Sequence, residues 1–300
     1  MNKREFKKRL EQIKKIKFWA SDINGGLYVI REFIENFTSF SKNIIKVSPN
    51  KNRTLYKYLV CDRQNLENLK NDSIFFRYPK GFKTDEYDSV FKLSEKLKES
   101  TYSTSKKLYE LLNRYLQKNI FVTCFTENKF ENQMWEKYSD DYSGYCIEYS
   151  LDYFYKNYIE KKINDNDNYT NNIAPVVYEK DIFDVEDYYL DEYSKELLIE
   201  KNFKNIIVPI LFFTTLTKRS EYFWENEWRW FEIEVKNPDE KSIYTEDGMV
   251  KMVGKPKAIY LGKKMSKENK KEIIGIAKEK NIKIYEMIDN EKDIIFRKIL

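Results

Sequence analysis

The chain has 300 residues, a formal net charge of +5, 41% hydrophobic and 16% aromatic residues, and no histidine. That size suits one large core or two small ones. The missing imidazole excludes Ser-His-Asp and Cys-His nucleophile pairs, histidine general bases, HExxH zinc sites and facial-triad iron sites, which leaves carboxylates, lysine, arginine, tyrosine and hydroxyls to carry any chemistry.

Taken in chain order, Phe6, Leu10, Ile13 and Ile16 recur at helical spacing, so residues 3–19 read as an amphipathic helix. Eight lysines and arginines there face only Glu5 and Glu11, so the basicity of the protein is an N-terminal feature. Such a helix is expected to pack its apolar stripe on its own protein. Its basic face is a candidate contact for an acidic partner, a nucleic-acid backbone or a membrane surface. Gly25-Gly26 interrupts, and Leu27, Ile30, Phe33, Ile34 and Phe37 mark a second helix. Residues 1–50 thus read as a basic helical extension and residues 51–300 as the core domain.

Strands are predicted at residues 55–60, 73–78, 120–126, 144–149, 175–178, 258–262 and 282–287, the last closing the sheet. Helices are predicted at 64–69, 89–98, 104–117, 132–138, 187–216, and from a Ser266 cap to about residue 280. Residues 160–173, rich in Asn, Asp and Lys, read as a surface loop, and Asn237-Pro238-Asp239 as a turn. Strands and helices mix without regular βαβ alternation, which indicates an α+β fold. The longest apolar run, residues 206–213, is far short of a membrane span, and no signal-peptide core precedes the lysine-rich start, so a cytoplasmic protein with no membrane partner is expected. Cys61, Cys124 and Cys146 form no CxxC and read as free thiols, with no metal site implied. Abundant Lys, Asn, Ile and Tyr with few Ala match an AT-rich coding sequence, so Lys and Tyr content alone does not indicate a nucleic-acid surface.

The densest stretch is 217–235, with three of the five tryptophans. From Trp228 onward it alternates as a strand. Extended backward, the period sets Glu225, Glu227, Arg229, Phe231, Ile233 and Val235 on one face and Trp228, Trp230, Glu232 and Glu234 on the other. A carboxylate taken from water must be paired or shift its pKa, so Glu225 and Glu227 are candidate catalytic groups, or Glu227 and Arg229 a structural ion pair. The Glu232-x-Glu234-x-Lys236 triplet is of the kind metal-dependent nucleases use. Glycine-rich phosphate loops are absent.

Leu55-Tyr56-Lys57-Tyr58, Ile74-Phe75-Phe76, Cys124-Phe125-Thr126-Glu127, Met134-Trp135 with Tyr138, Gly144-Tyr145-Cys146-Ile147, Glu225-Asn226-Glu227-Trp228-Arg229 and Ile259-Tyr260-Leu261-Gly262 together resemble a widespread bacterial domain-of-unknown-function family over residues 54–287. Where similar proteins carry an Asn-Asp-Pro turn and histidines, this chain has Lys83-Thr84-Asp85, Lys137 and Tyr142. That layout in turn resembles the ADP-ribosyltransferase fold, with split small mixed or antiparallel sheets, flanking helices and NAD in the cleft. The resemblance implies an NAD-consuming ADP-ribosyltransferase or NAD glycohydrolase, such as a toxin or a phage-defence effector, acting on a protein or nucleic-acid acceptor. It implies Lys57 at the cofactor phosphates, where such transferases carry arginine, Thr123 and Thr126 at the nicotinamide ribose, and Glu225 and Glu227 as the catalytic pair. Tyr56, Tyr58 or Phe125 would stack on the nicotinamide, and Arg229 joins the residues expected to bind the cofactor. Alternatives are a non-catalytic module that binds a nucleotide or protein, and the nuclease. If Glu227 is instead enclosed and its carboxylate is fully occupied by Arg229 or backbone donors, the transferase assignment fails.

Overall fold

Asn2 starts the first helix by accepting the Glu5 N–H at 2.8 Å, and α1 (Lys3–Lys14) turns Phe6, Leu10 and Ile13 inward. The computed structural model describes residues 1–16, 19–21, 27–29, 31–79, 82, 110, 118–159, 171–180, 200–233, 242–288 and 293–300. Between α1 and α2 (Arg31–Asn43), β1 (Trp19–Ser21) pairs antiparallel with β2 (Leu27–Val29), so the second helix starts later than its apolar spacing predicts. Phe6 stacks on Phe40 at 5.2 Å, and Phe37 meets Phe212 and Phe213 edge-on at 5.3 and 5.7 Å. The N-terminal residues therefore share one continuous core with the rest of the chain. Lys3 pairs with Glu127 and Lys14 with Glu179, while Arg4, Lys8 and Arg9 face outward.

The remaining described elements are β3 (Thr54–Leu59), α3 (Arg63–Lys70), β4 (Ser73–Arg77), β5 (Ile120–Thr126), α4 (Asn132–Tyr138), β6 (Tyr145–Ser150) and α5 (Leu151–Phe154). A single π turn (Tyr155–Ile159) follows, then β7 (Asn171–Pro175), β8 (Val177–Glu179), α6 (Glu200–Thr215), β9 (Thr217–Arg219) and a 3-10 helix (Ser220–Glu225). The chain ends with β10 (Glu227–Ile233), β11 (Ser242–Thr245), β12 (Gly248–Met252), β13 (Ala258–Leu261), α7 (Lys267–Lys280), β14 (Lys283–Ile288) and β15 (Ile295–Lys298). Helices and a mixed sheet make a mixed α and β architecture in which β13 and β14 run parallel and their neighbours antiparallel. The main sheet has the order β11-β12-β4-β5-β3-β6-β13-β14-β15, with β10 on β5 and β7 on β10.

Several predictions of element change. Residues 171–173 are not loop: they pair with β10, whose register sets Trp230 opposite Ile173. β14 does not close the sheet, because β15 continues it. The 3-10 helix replaces the backward extension of the Trp228 strand. The helices predicted at 89–98 and 104–117, the turn at 237–239, and Glu234 and Lys236 lie outside the described residues, apart from Glu110. No helix among the described residues is long and apolar enough to cross a membrane.

One feature of the sheet positions the site. β5 pairs with β10 over seven residues, but its opposite edge meets β3 only at Tyr56↔Thr126 and β4 only at Arg77↔Val122. Residues 123–125 between these two points face an opening in the sheet.

Candidate functional site

Glu225 ends the 3-10 helix, Asn226 takes the left-handed conformation (φ 44°), and Glu227 opens β10. The carboxylates converge because the chain turns at Asn226, not because they share a strand face as the alternation implied. Asparagine tolerates this conformation better than most residues. Thr126 Oγ1 donates to the Glu225 carbonyl at 2.6 Å, and Lys3 Nζ donates to Asn226 Oδ1 at 3.4 Å, which ties α1 to the turn.

Lys218 Nζ lies between the two acids, 2.7 Å from Glu225 Oε2 and 3.3 Å from Glu227 Oε2. Arg229 Nε and Nη2 grip Glu227 at 2.7 and 3.1 Å, and Nη1 donates to the Thr215 carbonyl at 2.7 Å. Tyr138 Oη donates to Glu225 Oε1 at 2.7 Å, and the Glu227 N–H donates to Tyr178 Oη at 2.8 Å. Two buried acids thus meet two buried bases, the arrangement that makes such burial tolerable.

The two acids titrate apart. Burial alone would raise Glu227, but Arg229 and Lys218 outweigh it and hold the carboxyl well below the usual range. Burial and the Glu227 charge push Glu225 up to about 7 against the pull of Lys218. Burial and the Glu225 charge also raise the Tyr138 phenol, which stays a hydrogen-bond donor.

Across the opening, Lys57 Nζ donates to Thr123 Oγ1 at 2.7 Å and to the Cys124 carbonyl at 3.1 Å, so a side chain satisfies a strand edge that β3 leaves unpaired. Burial drives Lys57 down to about 8, with the Arg77 charge adding to the effect. Lys57 and Arg77 have no carboxylate within ion-pair distance among the described residues.

A cavity of about 340 Å³ occupies the opening, at the small end of the range for small-molecule sites. Tyr56, Lys57, Tyr58, Thr123, Phe125, Glu225 and Glu227 all line it. Thr126 and Arg229 do not: Thr126 is spent on the Glu225 carbonyl, and Arg229, at 0% exposure, lies behind Glu227. Both acids are enclosed, Glu227 at 5% and Glu225 at 3% exposure, and both have their oxygens taken, Glu227 by Arg229 and Lys218 and Glu225 by Tyr138 and Lys218. The two-pronged guanidinium grip is what counts against Glu227 as the group that holds a substrate hydroxyl.

Lys218, Tyr138, Arg77 and Cys124 also line the cavity, and the sequence reading assigned them no role. Nothing local marks Lys218, which stands in a three-residue strand among other charges. Glu232 pairs with Lys251 in the interior, and no cluster of three metal-binding side chains exists among the described residues.

A family model described as a protein of unknown function (DUF2971) matches residues 134–230. The DUF2971-like span runs from α4 to β10 and holds Tyr138, Lys218, Glu225, Glu227 and Arg229, whereas Lys57, Arg77 and Thr123 lie before it. No curated protein and no solved structure matches the chain.

Proposed function

We propose that the cavity binds NAD and that the protein breaks the nicotinamide–ribose bond, passing ADP-ribose to an acceptor or to water. The observation that carries this reading is the meeting of Lys57, Thr123, Glu225 and Glu227 in one cavity where β3 and β5 part. Lys57 and Arg77, two cations without carboxylate partners among the described residues, suit a diphosphate. Tyr56, Phe75 and Phe125 supply aromatic walls for a nicotinamide ring.

In the reaction the C1′–N bond breaks and its electron pair leaves with nicotinamide, which discharges the pyridinium and leaves an oxocarbenium-like ribose. Ionised Glu225, free of the bidentate grip that holds Glu227, stabilises that cation and takes the proton of the incoming nucleophile as the new C1′ bond forms. Glu227 and Arg229 fix Lys218, and Lys218 and Tyr138 fix Glu225 in turn.

A second reading follows from the enclosure of Glu227: the same cavity holds a nucleotide without turning it over. Nicotinamide release from NAD, measured for the wild type, Glu225→Gln and Glu227→Gln with cell lysate added as acceptor, separates the two. Release lost in Glu225→Gln supports the enzyme, and label carried to lysate distinguishes transfer from hydrolysis. No release with an NAD-dependent rise in melting temperature supports the binding module, and neither effect removes NAD as the ligand.

A further inference from the structure

The β6-β13-β14-β15 end of the sheet carries a second feature, independent of the carboxylate pair. In β14, Lys283, Tyr285 and Met287 alternate onto one face, while Glu286 on the other is held by Lys270 and Arg297. The β14–β15 register brings Phe296 opposite Met287 and Lys298 opposite Tyr285, on the same face. Tyr285 stacks on Tyr260 at 5.0 Å with the rings 13° apart, and Phe296 meets Tyr260 at 4.9 Å and Phe130 at 5.9 Å. Tyr260 is buried, Tyr285 and Phe296 are partly buried against the cluster that holds Trp135, Tyr260 and Met287, each leaving part of its ring at the surface, and Phe130 is 53% exposed.

Cations frame these rings. Lys129 Nζ lies 4.4 Å from the Tyr260 ring centre and donates to its hydroxyl at 3.0 Å. Lys283 and Lys298 are exposed and have no ion-pair partner among the described residues. The nearby carboxylate of Glu148 is spent accepting the Tyr260 hydroxyl at 2.5 Å.

We propose that this face binds single-stranded nucleic acid. Partly buried rings anchored on a sheet, with exposed Phe130 beside them, offer stacking platforms for bases, and the lysines around them neutralise phosphates. The rings can stack only on bases free of a duplex. The inference rests on where Tyr285, Phe296, Lys283 and Lys298 are placed, not on the chain's general richness in Lys and Tyr.

Fluorescence anisotropy of the full chain with labelled oligo(U) and oligo(dT) of about 12 nucleotides, within the usual site size, tests it beside a duplex of the same length and anionic phospholipid vesicles. Single strands are expected to bind in preference to duplex. Tyr285→Ser and Phe296→Ser should each weaken binding about tenfold, while Tyr285→Phe should retain it. Lys283→Gln with Lys298→Gln changes only exposed side chains and so survives any folding defect of the ring variants. It should lower the slope of log affinity against log salt by about 1.4. The proposal is overturned by the absence of oligonucleotide binding at low salt, by a preference for duplex, by affinity unchanged in all variants, or by binding to vesicles alone.

Discussion

Arg229 holds Glu227 through two N–H···O bonds across a single intervening residue of β10, and both side chains are enclosed. Removing the guanidinium leaves a buried carboxylate with Lys218 as its remaining charge partner. Arg229→Met should therefore cost about 3–5 kcal/mol, seen as a large fall in melting temperature. Arg229→Lys should recover little, because an ammonium cannot make the two-pronged contact. Glu227→Gln combined with Arg229→Met should be less damaging than the sum of the single changes.

A chain without histidine is nearly silent between pH 5 and 8, so a titration there reports on few groups. Glu225 rises from 4.5 to about 7 on folding, so between these values the native state binds the extra proton. Its contribution to stability is present at low pH and is lost as pH rises through 7. Catalysis needs the ionised form, so kcat/KM for nicotinamide release should rise with pH through an apparent pKa near 7. Glu225→Gln should abolish the residual rate and flatten the stability profile between pH 5 and 7.

Lys57 shifts the other way, from 10.5 to about 8, so the unfolded chain binds the extra proton between those values and stability rises as pH climbs across that window. Lys57→Met should remove that rise in alkaline thermal melts.

The same lysine and Arg77 are expected to hold a diphosphate. ADP-ribose at about 100 times its dissociation constant should stabilise the wild type by about 2.7 kcal/mol. Lys57→Met and Arg77→Ala should each reduce this shift, and differential scanning fluorimetry with and without ligand checks it.

Asn226, with φ 44°, sets the angle between the two acids. Asn226→Ala should cost about 1–2 kcal/mol from left-handed strain, whereas Asn226→Gly should fold as well as the wild type. The glycine variant also loses the contact to Lys3, so slower nicotinamide release with an unchanged melting temperature would show that the side chain positions the turn.

Much of the architecture is legible from local patterns, because they are set by neighbours in sequence. Short runs rich in apolar, β-branched and aromatic residues mark β5 and β6, the Ser266 cap marks the start of α7, and Phe6, Leu10 and Ile13 mark the buried face of α1. Four-residue strands such as β11 and β15 are too short to carry such a signal, and their partners supply the reason they are extended. β7 falls in a stretch that looks like loop until β10 is present to pair with it.

At the site, residue identity was readable and arrangement was not. Composition alone dictates that any acid–base chemistry falls to carboxylates, lysines or tyrosines, and the Glu225-Asn226-Glu227 cluster is visible in the chain. That Glu227 is bound by Arg229 while Glu225 is left to Tyr138 and Lys218 depends on contacts spanning up to 87 residues, which no local period encodes. The acids' opposite shifts arise from burial and charges that only folding brings within a few ångströms, so tertiary structure alone decides which carboxylate can take a proton near neutral pH.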